Sequence, residues 1–325
     1  MSAQKRALVL GAGGFIGSHL VRRLKSENFW VRGADLKHPE FSPSRADDFI
    51  KGDLRDPAVM HQALDGDTFD EIYQLAADMG GAGYIFTGDN DAAIMTNSVQ
   101  INLNLLAEIG QKAGQRVFYS SSACIYPAHH QTSTHNPTTA EHTAFPADPD
   151  SEYGWEKLFS ERLFLTHARN FGLKARIARF HNIFGPEGTW RGGKEKAPAA
   201  MCRKVAETED GGVIEVWGDG EQTRSFLYID ECLDGVTRLI RSEIEEPLNI
   251  GSDETVTINQ LAGMAADIAG KTINLRHIPG PLGVRGRTSD NDLIRKRLGW
   301  VPDAPLKDGL AKTFAWIDAQ VHQRA

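Results

Sequence analysis

Between residues 7 and 180, short apolar runs alternate with longer stretches in which apolar positions return every three or four residues. The short runs lie at 7–10, 30–34, 48–50, 71–75, 116–119 and 175–180. Several are apolar almost throughout, as strands covered on both faces are. Helical patterns fall between them, near 15–27, 56–64, 91–113 and 152–170. Strand–helix alternation of this kind predicts a parallel sheet with helices on both faces. The expected class is α/β, with a Rossmann-type doubly wound sheet.

After about residue 182 the texture changes. Glycine and proline become frequent, strands shorten, and basic residues cluster at Arg191, Lys194, Lys196, Arg203 and Lys204. We read residues 1–182 as one domain. Residues 183–325 are mainly a smaller lobe over the open end of the sheet, with some segments returning to the first domain. Helices are expected there near 197–207, 230–241, 257–269, 290–297 and 306–320.

The first strand, ALVL, runs into GAGGFIG at 11–17, and a helix follows. Glycine at Gly11, Gly14 and Gly17 permits a tight turn and lets backbone approach a pyrophosphate, which then sits on the helix N-terminus. At the end of the second strand, the Asp35 carboxylate suits ribose hydroxyls and would repel a 2′-phosphate, which favours NAD over NADP. The expected cofactor set is Gly11, Gly14, Phe15, Ile16, Gly17, Asp35 and Asp53, and the first domain becomes a NAD-binding one. Asp53 reads equally as an adenine hydrogen-bonder or as an ordinary strand-end turn residue.

The fifth apolar run leads into SSSACIYP at 120–127, and SEYGWEK at 151–157 carries Y-x-x-x-K. Positions i and i+4 share a helix face. Lys157 therefore lies beside Tyr153, and an ammonium next to a phenol favours phenolate. Tyr153 then serves as a base near neutral pH, with Ser122 bonding the same substrate oxygen and both Tyr153 and Lys157 against the cofactor. The plain alternative is an amphipathic helix with an ordinary tyrosine. Together the glycine loop, the strand-end serine and Y-x-x-x-K resemble the extended short-chain dehydrogenase/reductase family, many of whose members oxidise and re-reduce nucleotide sugars.

Composition narrows the partners. The 325 residues carry 36 Lys+Arg against 43 Asp+Glu, a formal net charge of −7. That leaves no overall basic field for nucleic acid, although local cations suffice for a small anion. Three cysteines, Cys124, Cys202 and Cys232, offer neither a disulfide framework nor a C-x-x-C pair, so a reducing, cytoplasmic setting is expected. No apolar run approaches the ~20 residues that span a bilayer, and no membrane association is expected. His129, His130 and His135, in a polar loop at 129–143, match no zinc spacing, and no metal is expected.

Within the family, the resemblance narrows to a branch that inverts GDP-mannose at C3 and C5. It is carried by AADMGG (76–81), SSACIYP (121–127), RFHNI (179–183), GGKEKAPAA (192–200), WGDGEQTRSF (217–226) and IPGPLGVRGR (278–287). The resemblance implies tightly bound NAD, a transient C4 ketone, Cys124 as base and Lys196 as acid. It also implies a homodimer through the helices near 91–113 and 152–170. The chemistry points the same way. A C–H at C3 or C5 becomes acidic only beside a C4 ketone, and inversion then needs a base on one face and an acid on the other. On the residues alone, Cys124 reads as well as a small buried hydrophobe, and Lys196 as part of a solvated loop.

A diphosphate substrate needs cations, and Lys204, Arg224 and Arg285 are the candidates, each with a surface salt bridge as its alternative. The resemblance adds Gly80, Ser122, Ala123, Cys124, Asn182, Glu195, Lys196, Ala197, Gln222 and Thr223 as substrate contacts. A nucleotide-sugar 4-epimerase or 4,6-dehydratase stays open as the alternative activity. A dehydratase would carry an acidic pair where Ala123-Cys124 stands. A non-catalytic NAD sensor would have no need of Tyr153 and Lys157 together.

Overall fold

The computed structural model describes residues 4–135, 139–280 and 283–323. Residues 136–138 of the polar loop and Pro281 and Leu282 of the 278–287 stretch lie outside the described residues. In chain order the first part runs β1 (Arg6–Leu10), α1 (Phe15–Ser26), β2 (Trp30–Asp35), β3 (Asp48–Lys51), α2 (Pro57–Leu64), β4 (Glu71–Gln74), α3 (Ala82–Ile85), α4 (Asp91–Ile109), β5 (Arg116–Ser122), α5 (Glu152–Phe171) and β6 (Lys174–Phe180). The rest runs β7 (Ile183–Phe184), α6 (Ala197–Glu207), β8 (Val213–Trp217), β9 (Thr223–Ser225), β10 (Leu227–Tyr228), α7 (Ile229–Ile240), β11 (Leu248–Ile250), β12 (Thr255–Thr257), α8 (Ile258–Ala269), β13 (Asn274–Ile278), β14 (Gly286–Arg287), α9 (Asp292–Leu298) and α10 (Leu306–His322).

Seven strands form one sheet in the order β11-β6-β5-β4-β1-β2-β3, every pairing parallel. This is the doubly wound Rossmann arrangement. Strand order reverses between β1 and β4, which opens the crevice where such sheets take ligands. The alternation of β1 shows how both faces are covered. Ala7 and Val9 join the apolar layer of α1 and α7, whereas Leu8 and Leu10 join that of α2, α4 and α5. A third apolar cluster, with Met201, Val205, Leu261, Leu310 and Phe314, holds α6, α8 and α10 together as the smaller lobe.

Two elements depart from the pattern of the sequence. The fifth strand continues to Ser122 rather than stopping at Tyr119, because Ser120, Ser121 and Ser122 stay in register with Ala178, Arg179 and Phe180 of β6. Their polarity mimics a loop, but each hydroxyl has an interior partner: Ser120 Oγ donates to Gln74 O at 3.2 Å and Ser121 Oγ to Glu161 Oε1 at 2.5 Å. The seventh strand, β11, is only three residues long and follows a proline, too short for any period to mark.

Beneath the ends of β5 and β6 lies a buried charge pair. Arg179 donates from Nη2 to Glu161 Oε2 at 2.8 Å and from Nε to Oε1 at 3.0 Å. Its Nη1 donates to Glu141 O at 3.0 Å and to the Tyr126 hydroxyl at 3.3 Å, and that hydroxyl donates to Asn249 Oδ1 on β11 at 2.6 Å. Fully bonded, such a pair is tolerated in the interior; halved, it leaves an uncompensated charge. Glu161→Gln is expected to lower the unfolding free energy by about 3–5 kcal/mol, read as a fall in the urea midpoint. An unchanged midpoint would show that Arg179 is neutralised by some other group.

Candidate active site

The glycine loop is built by close contacts. Gly11 sits at φ +89°, and a Cβ there would stand 2.8 Å from the Ala76 backbone nitrogen. A Cβ on Gly17 would meet Gly11 O at 2.0 Å, so the loop closes on itself only because both are glycine. Gly14 precedes α1, which has no side-chain cap and no acid in its first turn. The amides of Phe15 and Ile16 donate to no protein group among the described residues. Free amide donors at the positive end of a helix make a seat for a diphosphate. Beside it, Asp35 accepts from Gly13 N at 2.9 Å and from Lys37 N at 3.2 Å, and burial raises its carboxyl above the ordinary range. These residues fit NAD. Asp53 is engaged differently: its carboxylate forms an ion pair with Arg55 at 2.6 Å on the exposed side of the third strand's end.

At the end of β5, Ser122 leads into a single 3-10 turn of Ala123, Cys124 and Ile125. Ser122 Oγ accepts from Cys124 N at 3.2 Å, and its hydroxyl acts to lower the pKa of both the Tyr153 phenol and the Cys124 thiol. α5 begins where Ser151 Oγ accepts from Gly154 N at 3.2 Å. A Cβ on Gly154 would lie 2.1 Å from Cys124 O, so the first turn of α5 rests directly on the cysteine's backbone. Tyr153 and Cys124 thereby share one apolar cluster with Ile85 and Ile94. One helical turn on, buried Lys157 donates from Nζ to Ser120 O at 3.1 Å and stands 5.6 Å from the centre of the Tyr153 ring.

Burial governs the ionisation of these groups. It pushes the Tyr153 phenol well above its ordinary value, with the neighbouring Cys124 and Glu156 adding to the effect and Ser122 opposing it. It holds the Lys157 ammonium below its usual range, against Glu156 and Glu161. From the spacing we expected Lys157 to bring Tyr153 down. In the protein alone desolvation outweighs that effect, since taking either charge out of water costs more than a cation over the ring returns.

Cys124 is 8% exposed. Its sulfur accepts a hydrogen bond at 3.3 Å from Arg287 Nη1, a residue the sequence did not single out. Arg287 also donates to Asp150 Oδ2 and to Gln131 Oε1. Burial raises the Cys124 thiol, Asp150 adds to this, and Arg287 and Ser122 oppose it. Arg285, two residues earlier, faces outward instead. Its side chain is 36% exposed and clamps both Asp219 oxygens, at 2.8 and 2.9 Å. Both arginines lie in one Arg-Gly-Arg run, and only the pairing of β14 with β9 decides which enters the interior.

The segment bearing Lys196 lies against the start of α3. Gly81 N donates to Lys194 O at 3.0 Å, and a Cβ on Gly81 would meet Glu195 O at 2.4 Å. Half-buried Lys196 precedes Ala197, the first residue of α6. Burial lowers its pKa, and Cys124 and then Cys232 raise it, so amine and thiol lie within electrostatic reach. Arg224 is held down to about 9 by burial first and Arg287 second, and it donates to Thr223 O and Val284 O at 2.7 and 2.6 Å. Gln222 Oε1 is buried with no hydrogen-bond partner among the described residues. Asn182, at φ +48°, holds Ser225 O at 2.9 Å. Thr223 Oγ1 donates to Thr134 O at 3.4 Å, and Gly80 is packed by Tyr84, 2.7 Å from where its Cβ would be. Glu195 is held by Arg203 at 3.3 Å, and Lys204 Nζ by Glu215 O at 2.5 Å. Ser122, Ala123, Cys124, Tyr153, Lys157, Lys196 and Arg224 are thus gathered, and Arg224, like Asp53, Lys204 and Arg285, is also engaged by protein groups.

Comparison with known proteins agrees with this geometry. Residues 7–251 match the family described as NAD dependent epimerase/dehydratase. The GDP-mannose 3,5-epimerase of Arabidopsis thaliana is 48% identical over 318 residues, covering 97% of this chain and 82% of that protein. GDP-mannose 3,5-epimerase 1 of Oryza sativa subsp. indica is 47% identical over 325 residues, covering 99% and 84%. The crystal structure of UDP-glucose 4-epimerase with UDP-glucose from Thermotoga maritima shares the fold, with a TM-score of 0.85 over 97% of this chain and 99% of its own at 24% identity. The chain therefore belongs to the NAD dependent epimerase/dehydratase family, alongside the GDP-mannose 3,5-epimerases.

Proposed function

We propose that this protein is an NAD-dependent isomerase that epimerises GDP-mannose at C5 and C3, giving GDP-L-galactose, and GDP-L-gulose where C5 alone inverts. The observation that carries the reading is the thiol of Cys124, set beside the Tyr153 phenol and within electrostatic reach of the Lys196 ammonium. A 4-epimerase needs no acid–base pair at C3 or C5, and a 4,6-dehydratase would carry an acidic pair where Ala123-Cys124 stands.

The loop of Gly11, Gly14 and Gly17 and the Asp35 carboxylate would hold NAD, which would supply reversible hydride-acceptor chemistry for C4. Tyr153 takes the C4 hydroxyl proton, with Ser122 holding the same oxygen and Lys157 anchoring the helix face against Ser120. Once C4 is a ketone, Cys124 removes a proton from the neighbouring carbon and Lys196 delivers one to the opposite face. The burial that lowers the Lys196 pKa makes its ammonium a readier proton donor, and the burial that raises the Cys124 pKa makes its thiolate a stronger base. Arg224 supplies a partly dehydrated cation for the diphosphate, and Gln222 Oε1 an acceptor. Lys204 and Arg285 already donate to Glu215 O and to Asp219, which leaves each with fewer free donors for the diphosphate.

The same reading has the protein act as a homodimer in the cytoplasm. The helices α4 and α5 support the first, because Leu103, Trp155 and Phe159 leave large apolar surface exposed there. Three unbridged, buried cysteines are consistent with the second. Light scattering on the purified protein is expected to give twice the chain mass, and a monomer would remove the dimer.

Incubation with GDP-mannose in D₂O is expected to place deuterium at C5, with or without C3, in a sugar that keeps its 6-hydroxyl. A 6-deoxy-4-keto product, or a C4-inverted sugar without label, would replace this reading with a dehydratase or a 4-epimerase. Cys124→Ser is expected to slow exchange at least ~100-fold while leaving bound NAD in place. Exchange at the original rate would take Cys124 out of the mechanism. Tyr153→Phe is expected to abolish the transient 340-nm absorbance of reduced cofactor on mixing with substrate; undiminished absorbance would assign the C4 proton to another base. The exchange rate should rise with pH from neutrality, as the raised Cys124 loses its proton, and fall again where the lowered Lys196 loses its own. A flat profile would contradict both roles.

A further inference from the structure

Arg287 has no part in the mechanism as stated, yet it touches the sulfur. We propose that Arg287, held in place by Asp150, positions the Cys124 sulfur and sets its readiness to ionise for proton abstraction. The inference rests on Cys124 being the base.

The geometry leaves the guanidinium little freedom. Nε donates to Gln131 Oε1 and Nη2 to Asp150 Oδ2, which aims Nη1 at Cys124 Sγ, 3.3 Å away. Both anchors are themselves tied. Gln131 Nε2 donates to Tyr126 O at 2.9 Å, and Ser151 Oγ donates to Asp150 Oδ1 at 2.8 Å. The strand beneath is pressed into place as well: a Cβ on Gly286 would lie 2.1 Å from Ser133 O, and Arg285 N donates to Gln131 O at 2.9 Å. A planar fork fixed on two edges can present its third only in one direction.

The charges around the sulfur come from five elements. Arg287 reaches it from β14, Asp150 from the loop before α5, Tyr153 from α5, Lys196 from the start of α6 and Arg224 from β9. A thiolate buried without a donor would be costly. Arg287, permanently protonated, supplies one. Asp150 balances it, so the sulfur rests as a thiol rather than being locked as an ion pair. In the step itself, thiolate takes a proton from the carbon beside the C4 ketone and the C–H electron pair passes into the enolate. Arg287 keeps its protons and only weakens its bond to sulfur.

The test reads the thiol directly, without substrate. The rate of iodoacetamide alkylation, assigned to Cys124 by peptide mass spectrometry, is followed against pH. Arg287→Gln is expected to move the midpoint up by about one to two units, the effect of removing an opposite charge at contact. Arg287→Lys should fall between that variant and wild type. Asp150→Asn should move the midpoint down, because Arg287 then has the thiolate as its only anion at that edge. This variant keeps the arginine and carries the test alone if Arg287→Gln does not fold. The alkaline rise of deuterium exchange should shift with the alkylation midpoint in each variant. Unmoved midpoints, with Cys124→Ser still inactive, overturn the role of Arg287 and leave the base assignment standing. Shifted midpoints with normal exchange in Cys124→Ser overturn the base assignment, and the inference with it.

Discussion

The site depends on one close approach, that of the first turn of α5 to the end of β5. Gly154 lets the helix backbone lie against the Cys124 carbonyl, at a separation no side chain would allow. A glycine inside a helix costs about 1 kcal/mol relative to alanine. Here it packs Tyr153 into one cluster with Cys124, whose backbone nitrogen donates to Ser122 Oγ. Lys157 then follows from helical geometry, since a residue four positions on shares the face of Tyr153. The packing of Tyr153, Lys157 and Cys124 against the end of β5 descends from that contact.

Burial is the second constraint, and it acts in one direction on all these groups. Tyr153 and Cys124 are pushed towards their protonated forms, and Lys157, Lys196 and Arg224 towards losing theirs. Each change favours the neutral species, which is what exclusion of water does to any ionisable side chain. Charge survives inside only where a partner is fixed beside it. Arg179 with Glu161 does this beneath the sheet, for architecture. Arg287 with Asp150 does it beside the Cys124 thiol. The two pairs resemble each other physically and differ only in what they touch.

The glycine loop and the smaller lobe are joined through the same economy of space. A Cβ on Gly185 would come within 3.3 Å of the Phe15 ring, so the residue that starts α1 also borders the segment leading into the lobe. Gly81 performs the matching service at the start of α3, where the segment carrying Lys196 crosses it. Backbone laid on backbone thus holds the segment that leads into α6, and Lys196 forms no salt bridge among the described residues.

The apolar runs and helical periods of the chain determined nearly all of the fold, because each buried strand and amphipathic helix is written in consecutive residues. Ser122, Tyr153 and Lys157 were legible for the same reason: strand end and helix face fix them locally. Cys124 and Lys196 were indicated by family resemblance, and their own spacing was silent. Serine hydroxyls inside β5 and the three-residue β11 escaped, since partners elsewhere in the chain made the first acceptable and the second stable. The inward turn of Arg287 and the outward turn of Arg285 were decided only by tertiary structure. Two arginines one residue apart are equivalent as sequence. What distinguishes them is that Cys124, Gln131 and Asp150 wait for one and Asp219 for the other, and those partners meet only when β14 is laid beside β9.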